Sequence, residues 1–186
     1  MRWITAAAWV SALALAAAAV SQLLEWRGAR AWFVLVWVIL LFVVITGLLR
    51  HPMRWPAWGL FIGFWGAVGA LFLVVLQVLA VADVLRQPAY GAWVAWSLAV
   101  VAIWILIPSG LGWGNGSFPR AVDALGILAA AGLLALSVAL WIAGSDPARL
   151  AAGVAAVLYS VWALSAGIVF WRLESTAKVQ LYGTQF

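Results

Sequence analysis

Cysteine is absent from the 186 residues, and histidine occurs once. The first absence excludes disulfides, thiolate metal sites, iron–sulfur clusters and thiol catalysis. The second excludes a histidine metal cluster and a b-type haem held by two histidines of one chain. Charge is scarce as well. Asp, Glu, Lys and Arg make up 8% of the chain, against about 25% in soluble domains. Only five residues are acidic, and none falls in the middle of a predicted helix. That argues against a proton pump or a transporter coupled through a buried carboxylate, because intramembrane ionisable residues mark such paths. Paired carboxylates for acid–base work are missing too. A serine nucleophile needs a base within reach, and no nucleophile elbow accompanies His51. We therefore expect no enzymatic activity from this chain alone.

What is present is apolar: 68% of residues are hydrophobic, with 15 tryptophans. A domain of this size leaves much of its surface exposed, so it cannot hide that much apolar area from water. Lipid must be the solvent for most of the chain. The net charge is +5 and the pI about 10.8, but the basic residues sit at helix ends and form no cluster. They read as topology signals and contacts with anionic lipid, not as a nucleic-acid surface.

A spanning helix needs about 20 mostly apolar residues. Six stretches qualify: 3–24, 31–49, 57–82, 89–108, 121–144 and 148–171. In the second, fourteen of residues 33–49 are Leu, Ile, Val or Phe, which favours insertion by about 4 to 8 kcal/mol as an upper bound. The first stretch, MRWITAAAWVSALALAAAAVSQ, also has the build of a secretory signal peptide; we read it as a retained first helix. Short connections such as EWRGAR and GSDP force antiparallel neighbours. Prolines 52, 56, 88, 108, 119 and 147 fall near the proposed ends, where a missing N–H does least harm. The expected fold is all-α: an up-down bundle of six transmembrane helices over 1–172, then a short polar tail over 173–186.

Orientation follows from the basic residues. Arg2, Arg50, Arg54, Arg120, Arg172 and Lys178 fall on the side of the termini, and Arg27, Arg30, Arg86 and Arg149 on the other. Positive residues favour the cytoplasm, so both termini are expected inside, in a bacterial inner membrane. No internal repeat is visible, although three helices followed by three permit an inverted pair. Helices one, five and six are rich in alanine, which lets backbones approach closely. They are expected to pack tightly.

PSGLGWGNGSFPR, residues 108–120, looks like a phosphate loop but is not one. The spacing G-x-G-x-G-x-G matches neither the dinucleotide fingerprint nor the P-loop. We expect a hinge between membrane helices, with Pro108 ending one and Pro119 starting the next. Asn115-Gly116-Ser117 also matches a glycosylation acceptor, a motif common by chance. In GLFIGFWGAVGA, Gly59, Gly63, Gly66 and Ala70 share one helix face, a ridge of the G-x-x-x-G kind suited to helix packing. The alternative is a groove that admits a lipid tail, quinone or pigment. His51 is expected in the membrane interface.

Polar residues within the spans are few: Thr46, Gln77, Ser97, Ser137, Tyr159, Ser160 and Ser165. Gln77 is the most expensive to bury. It, Tyr159, Ser160 and Trp162 are the candidates for contact with a solute or ligand. Interhelical hydrogen bonding is the plainer role for each. Many tryptophans fall near predicted ends, as interfacial belts should. Trp9, Trp37, Trp65, Trp96 and Trp162 fall deeper, where they fill space or flank a flat ligand.

The expectation is a non-catalytic accessory or scaffold subunit. It would pack through its small-residue faces against partner membrane subunits or copies of itself, and contact membrane lipid or a hydrophobic cofactor of unknown identity. The alternative is a small transporter or channel component for a neutral or apolar solute, which would contain a central cavity. Neither involves nucleic acid.

Overall fold

The computed structural model describes residues 2–48, 56–85, 89–115, 118–142 and 145–183. They form six helices: α1 (Arg2–Leu23), α2 (Arg27–Leu48), α3 (Pro56–Val81), α4 (Ala89–Asn115), α5 (Arg120–Ile142) and α6 (Ser145–Gly183). Each contains a charge-poor span long and apolar enough to cross a membrane. Helices are what lipid demands, because hydrocarbon offers no partner for a free backbone N–H or C=O. The chain is an integral membrane protein built as a six-helix bundle.

Each helix packs on its neighbours in sequence, and α1 also packs on α6. Among the described residues no other pair of helices brings its backbones together. The six therefore close into a ring, with no helix filling its centre.

Two connections are closed in the same way. After α1 the Trp26 N–H donates to the Ser21 carbonyl at 2.9 Å, and the Glu25 N–H to that of Gln22 at 3.3 Å. After α3 the Val84 N–H donates to Leu79 at 2.9 Å, and Asp83 to Ala80 at 3.2 Å. This pattern satisfies the last carbonyls of a helix, but it forces the residue after the cap into the left-handed region. Glu25 (φ 58°) and Asp83 (φ 56°) occupy those positions, which usually hold glycine.

Two helices run past their expected ends. The hinge at Pro108 is corrected: α4 passes through the proline and ends at Asn115. Proline's fixed φ suits a helix and costs it one hydrogen bond, whereas stopping would strand several carbonyls at the membrane. Likewise α6 continues through most of the segment expected as a tail. Its 39 residues span about 58 Å at 1.5 Å each, well beyond a hydrocarbon core of about 30 Å.

The small residues are used inside the ring. Ala7, Ala8, Ala12, Ala14 and Ala18 of α1 are buried, as are Ala129 and Ala130 of α5 and Ala155, Ala156, Ala163 and Ala166 of α6. A Cβ added to Gly132 of α5 would lie 3.2 Å from the Ala155 Cα of α6, so these two backbones nearly touch. At the seam between α1 and α6, Gly167 leaves room for the Trp9 indole, whose Nε1–H donates to the Leu164 carbonyl at 3.3 Å. Trp9 also stacks on Trp171, with centroids 6.2 Å apart.

Candidate ligand cavity

The hollow ring holds a cavity of about 380 Å³ lined by residues from all six helices. Its deep wall is apolar, with Trp37 and Val38 of α2, Leu98 of α4, Leu133 of α5 and Ala155 and Ala156 of α6. The mouth carries Gln22 of α1, Arg30 of α2, Gln77 of α3 and Tyr90 of α4. These lie near the turns that follow α1 and α3, so the mouth faces away from the start of α1. From Arg30 to Trp37, and from Tyr90 to Leu98, the lining descends about 10–12 Å. Volume and lining match the usual small-molecule site, apolar with a few placed polar groups.

Gln77 ties the mouth together. Its Nε2 donates to the Ala31 carbonyl of α2 at 2.9 Å, and its Oε1 accepts from the Tyr90 hydroxyl of α4 at 2.6 Å. One side chain thus bridges three helices. Gln22 makes a longer link to α6, donating to the Arg149 carbonyl at 3.4 Å. Among the described residues Arg30 is the one charged residue of the lining, and its side chain is exposed.

Tyr159, Ser160 and Trp162 fall below the cavity, about one turn of α6 beyond Ala155 and Ala156. Tyr159 is fully buried. Its hydroxyl lies 3.1 Å from that of Ser11, and its ring meets Trp37 edge-on at 5.6 Å and Trp162 at 5.6 Å. The Ser160 hydroxyl donates to the Ala12 carbonyl at 2.9 Å. The buried Trp37 Nε1–H neighbours the Tyr159 hydroxyl but lacks hydrogen-bond geometry to any partner among the described residues. This layer is the floor of the cavity, and only Trp37 reaches the lining. The four candidate contact residues are therefore divided. Gln77 stands at the mouth, Tyr159 and Ser160 hold α6 to α1, and Trp162 packs on Tyr159 and beside Gly126 of α5.

The small-residue ridge of α3 faces inward. Gly63, Gly66 and Ala70 are buried, and a Cβ on Gly66 would run into the Trp104 indole of α4. Gly59 lies in the first turn of α3. His51 falls outside the described residues, as do Gly116 and Ser117 of the possible glycosylation acceptor.

Two cavity residues escape a reading of the sequence: Arg30 looks like a topology charge and Tyr90 like an interfacial aromatic. Trp37, one of the deep tryptophans expected to fill space or flank a ligand, does line the cavity. Asp123, at a predicted helix end, is buried at 2% exposure, and its Oδ2 has no partner among the described residues. It sits in the first turn of α5, where the helix dipole favours a carboxylate. That is the end of the bundle opposite the mouth.

Comparison with family models, curated proteins and solved structures finds no match to this chain.

Proposed function

We propose that this integral membrane protein is a non-catalytic binding component for a small, mainly apolar molecule, received in the cavity between its six helices. A small transporter for an apolar or neutral solute works from such a site. One observation carries the reading: a half-open apolar cavity to which all six helices contribute. The use of the small-residue faces points the same way. Gly66, Gly132 and Gly167 meet helices of this chain, so those faces are engaged without a partner subunit.

The accessory-subunit reading draws on a different surface. Phe61, Phe64, Trp65, Val68 and Phe72 form an exposed stripe along α3. Lipid covers such a stripe as well as a partner helix does, so it supports that reading less.

Photolabelling in nanodiscs tests the proposal, with a diazirine-bearing dodecanol as probe. The cavity reading expects labels on Leu98, Leu133 or Leu136, lost in the cavity-filling variants Leu136→Trp and Val94→Phe. Labels confined to lipid-facing residues such as Phe64 and Trp65 would overturn it.

A further inference from the structure

We infer that the cavity takes a single-chain amphiphile with an anionic head, its chain in the apolar well and its head at the Arg30 guanidinium. The inference rests on the cavity reading above and names the ligand class.

Charge at the mouth is the first argument. Arg30 lines the cavity, and among the described residues no Asp or Glu does. Among the described residues its side chain makes no hydrogen bond or ion pair. The neutral groups beside it are already occupied: the Gln77 amide is held by Ala31 and Tyr90, and the Gln22 amide donates to Arg149. The strongest recognition element at the rim is thus a cation with several donors, which suits a carboxylate or phosphate oxygen.

Shape is the second argument. The lining descends about 10–12 Å, somewhat less than half of a hydrocarbon core of about 30 Å. At about 380 Å³ the cavity is at the small end of ligand sites. It suits one chain held between Val34, Leu73, Leu98 and Leu133, and not the two chains of a bilayer lipid. The well is apolar down to Trp37, so the head has its polar partner only at the mouth.

A plainer role for Arg30 is to reach the phosphates of the surrounding bilayer, as arginines at helix ends do. Arg27 provides the control, since it lies one turn earlier on α2, is exposed and does not line the cavity.

The test uses the full chain in phosphatidylcholine nanodiscs and diazirine derivatives of dodecanoate, dodecyl phosphate and dodecanol. Each is read as labelling of Leu98, Leu133 and Leu136 divided by labelling of Phe64 and Trp65. That ratio corrects for partition into the lipid. At alkaline pH an anionic head should raise it about tenfold over the alcohol, the worth of one charge-assisted hydrogen bond. Whichever anion shows the preference identifies the head as carboxylate or phosphate. Arg30→Gln should abolish the preference, Arg30→Lys should keep part of it, and Arg27→Gln should leave it intact. Equal ratios for acid and alcohol in the native chain would overturn the headgroup assignment and leave the cavity reading standing. So would an Arg27→Gln effect as large as that of Arg30→Gln. Absence of cavity labelling by all three probes would overturn both.

Discussion

The Tyr159 hydroxyl of α6 lies 3.1 Å from the Ser11 hydroxyl of α1, at the seam that closes the ring. Ser11 in turn donates to the Ala8 carbonyl at 2.8 Å, so Tyr159 is the donor in the pair. Replacing Tyr159 by Phe should cost about 1 kcal/mol, the usual worth of an interhelical hydrogen bond in a membrane. Tyr159→Ala should cost about 3–5 kcal/mol through the void it leaves. Unfolding in mixed micelles with increasing dodecyl sulfate measures both. In a double-mutant cycle, Tyr159→Phe and Ser11→Ala should be less than additive, because they remove the same bond.

Gly66 is a second point where one atom decides packing. Gly66→Val should destabilise the fold by about 1–3 kcal/mol, since the new side chain meets the Trp104 indole. Trp104→Ala in the same chain should recover part of that loss by making room. A Gly66→Val variant as stable as the native protein would show that α3 and α4 separate freely.

Gln77→Met conserves bulk but deletes the links to Ala31 and Tyr90. Stability should fall by about 1–3 kcal/mol, because the Ala31 carbonyl and the Tyr90 hydroxyl lose their partner at a half-buried site. Gln77→Glu tests the same joint differently. It keeps an acceptor for Tyr90 and loses the donor to Ala31, so a smaller loss is expected when the carboxyl is protonated than when it is charged. Unfolding at acid and neutral pH separates the two.

Glu25→Gly should stabilise the protein by about 1 kcal/mol. The left-handed backbone at this position strains every residue with a Cβ and spares glycine. Glu25→Val should do the opposite, and the same unfolding assay checks both.

The six helices were legible in the sequence because lipid imposes one rule on every span, and the rule is local. Alanine in α1, α5 and α6 was likewise a sound guide to close packing. The end of α4 was not legible. Pro108 punctuates a soluble helix, but its single lost bond matters less than the several carbonyls that an early end would expose. The cavity was legible only through Gln77, the most expensive polar group in a span, and through Trp37 as one of several deep tryptophans. Tyr159 and Ser160 look equally suited to a ligand, yet their hydroxyls turn to Ser11 and Ala12, 148 residues away in each case. No periodicity within a helix records a pairing between the first helix and the last. Arg30 was hidden for a related reason: in sequence it resembles Arg27, and only ring closure makes it part of a rim.

Ring closure also orders events during synthesis. While the chain is being made, α1 to α5 form an open row whose ends have not met. The cavity wall lacks Ala152, Ala155 and Ala156 until α6 arrives. The cavity is thus the last feature of the bundle to be completed, and under the proposed function an occupant would act as a clasp on the finished ring. Such an occupant would hold α6 against α1 and raise the cost of reopening the row as its concentration exceeds its dissociation constant.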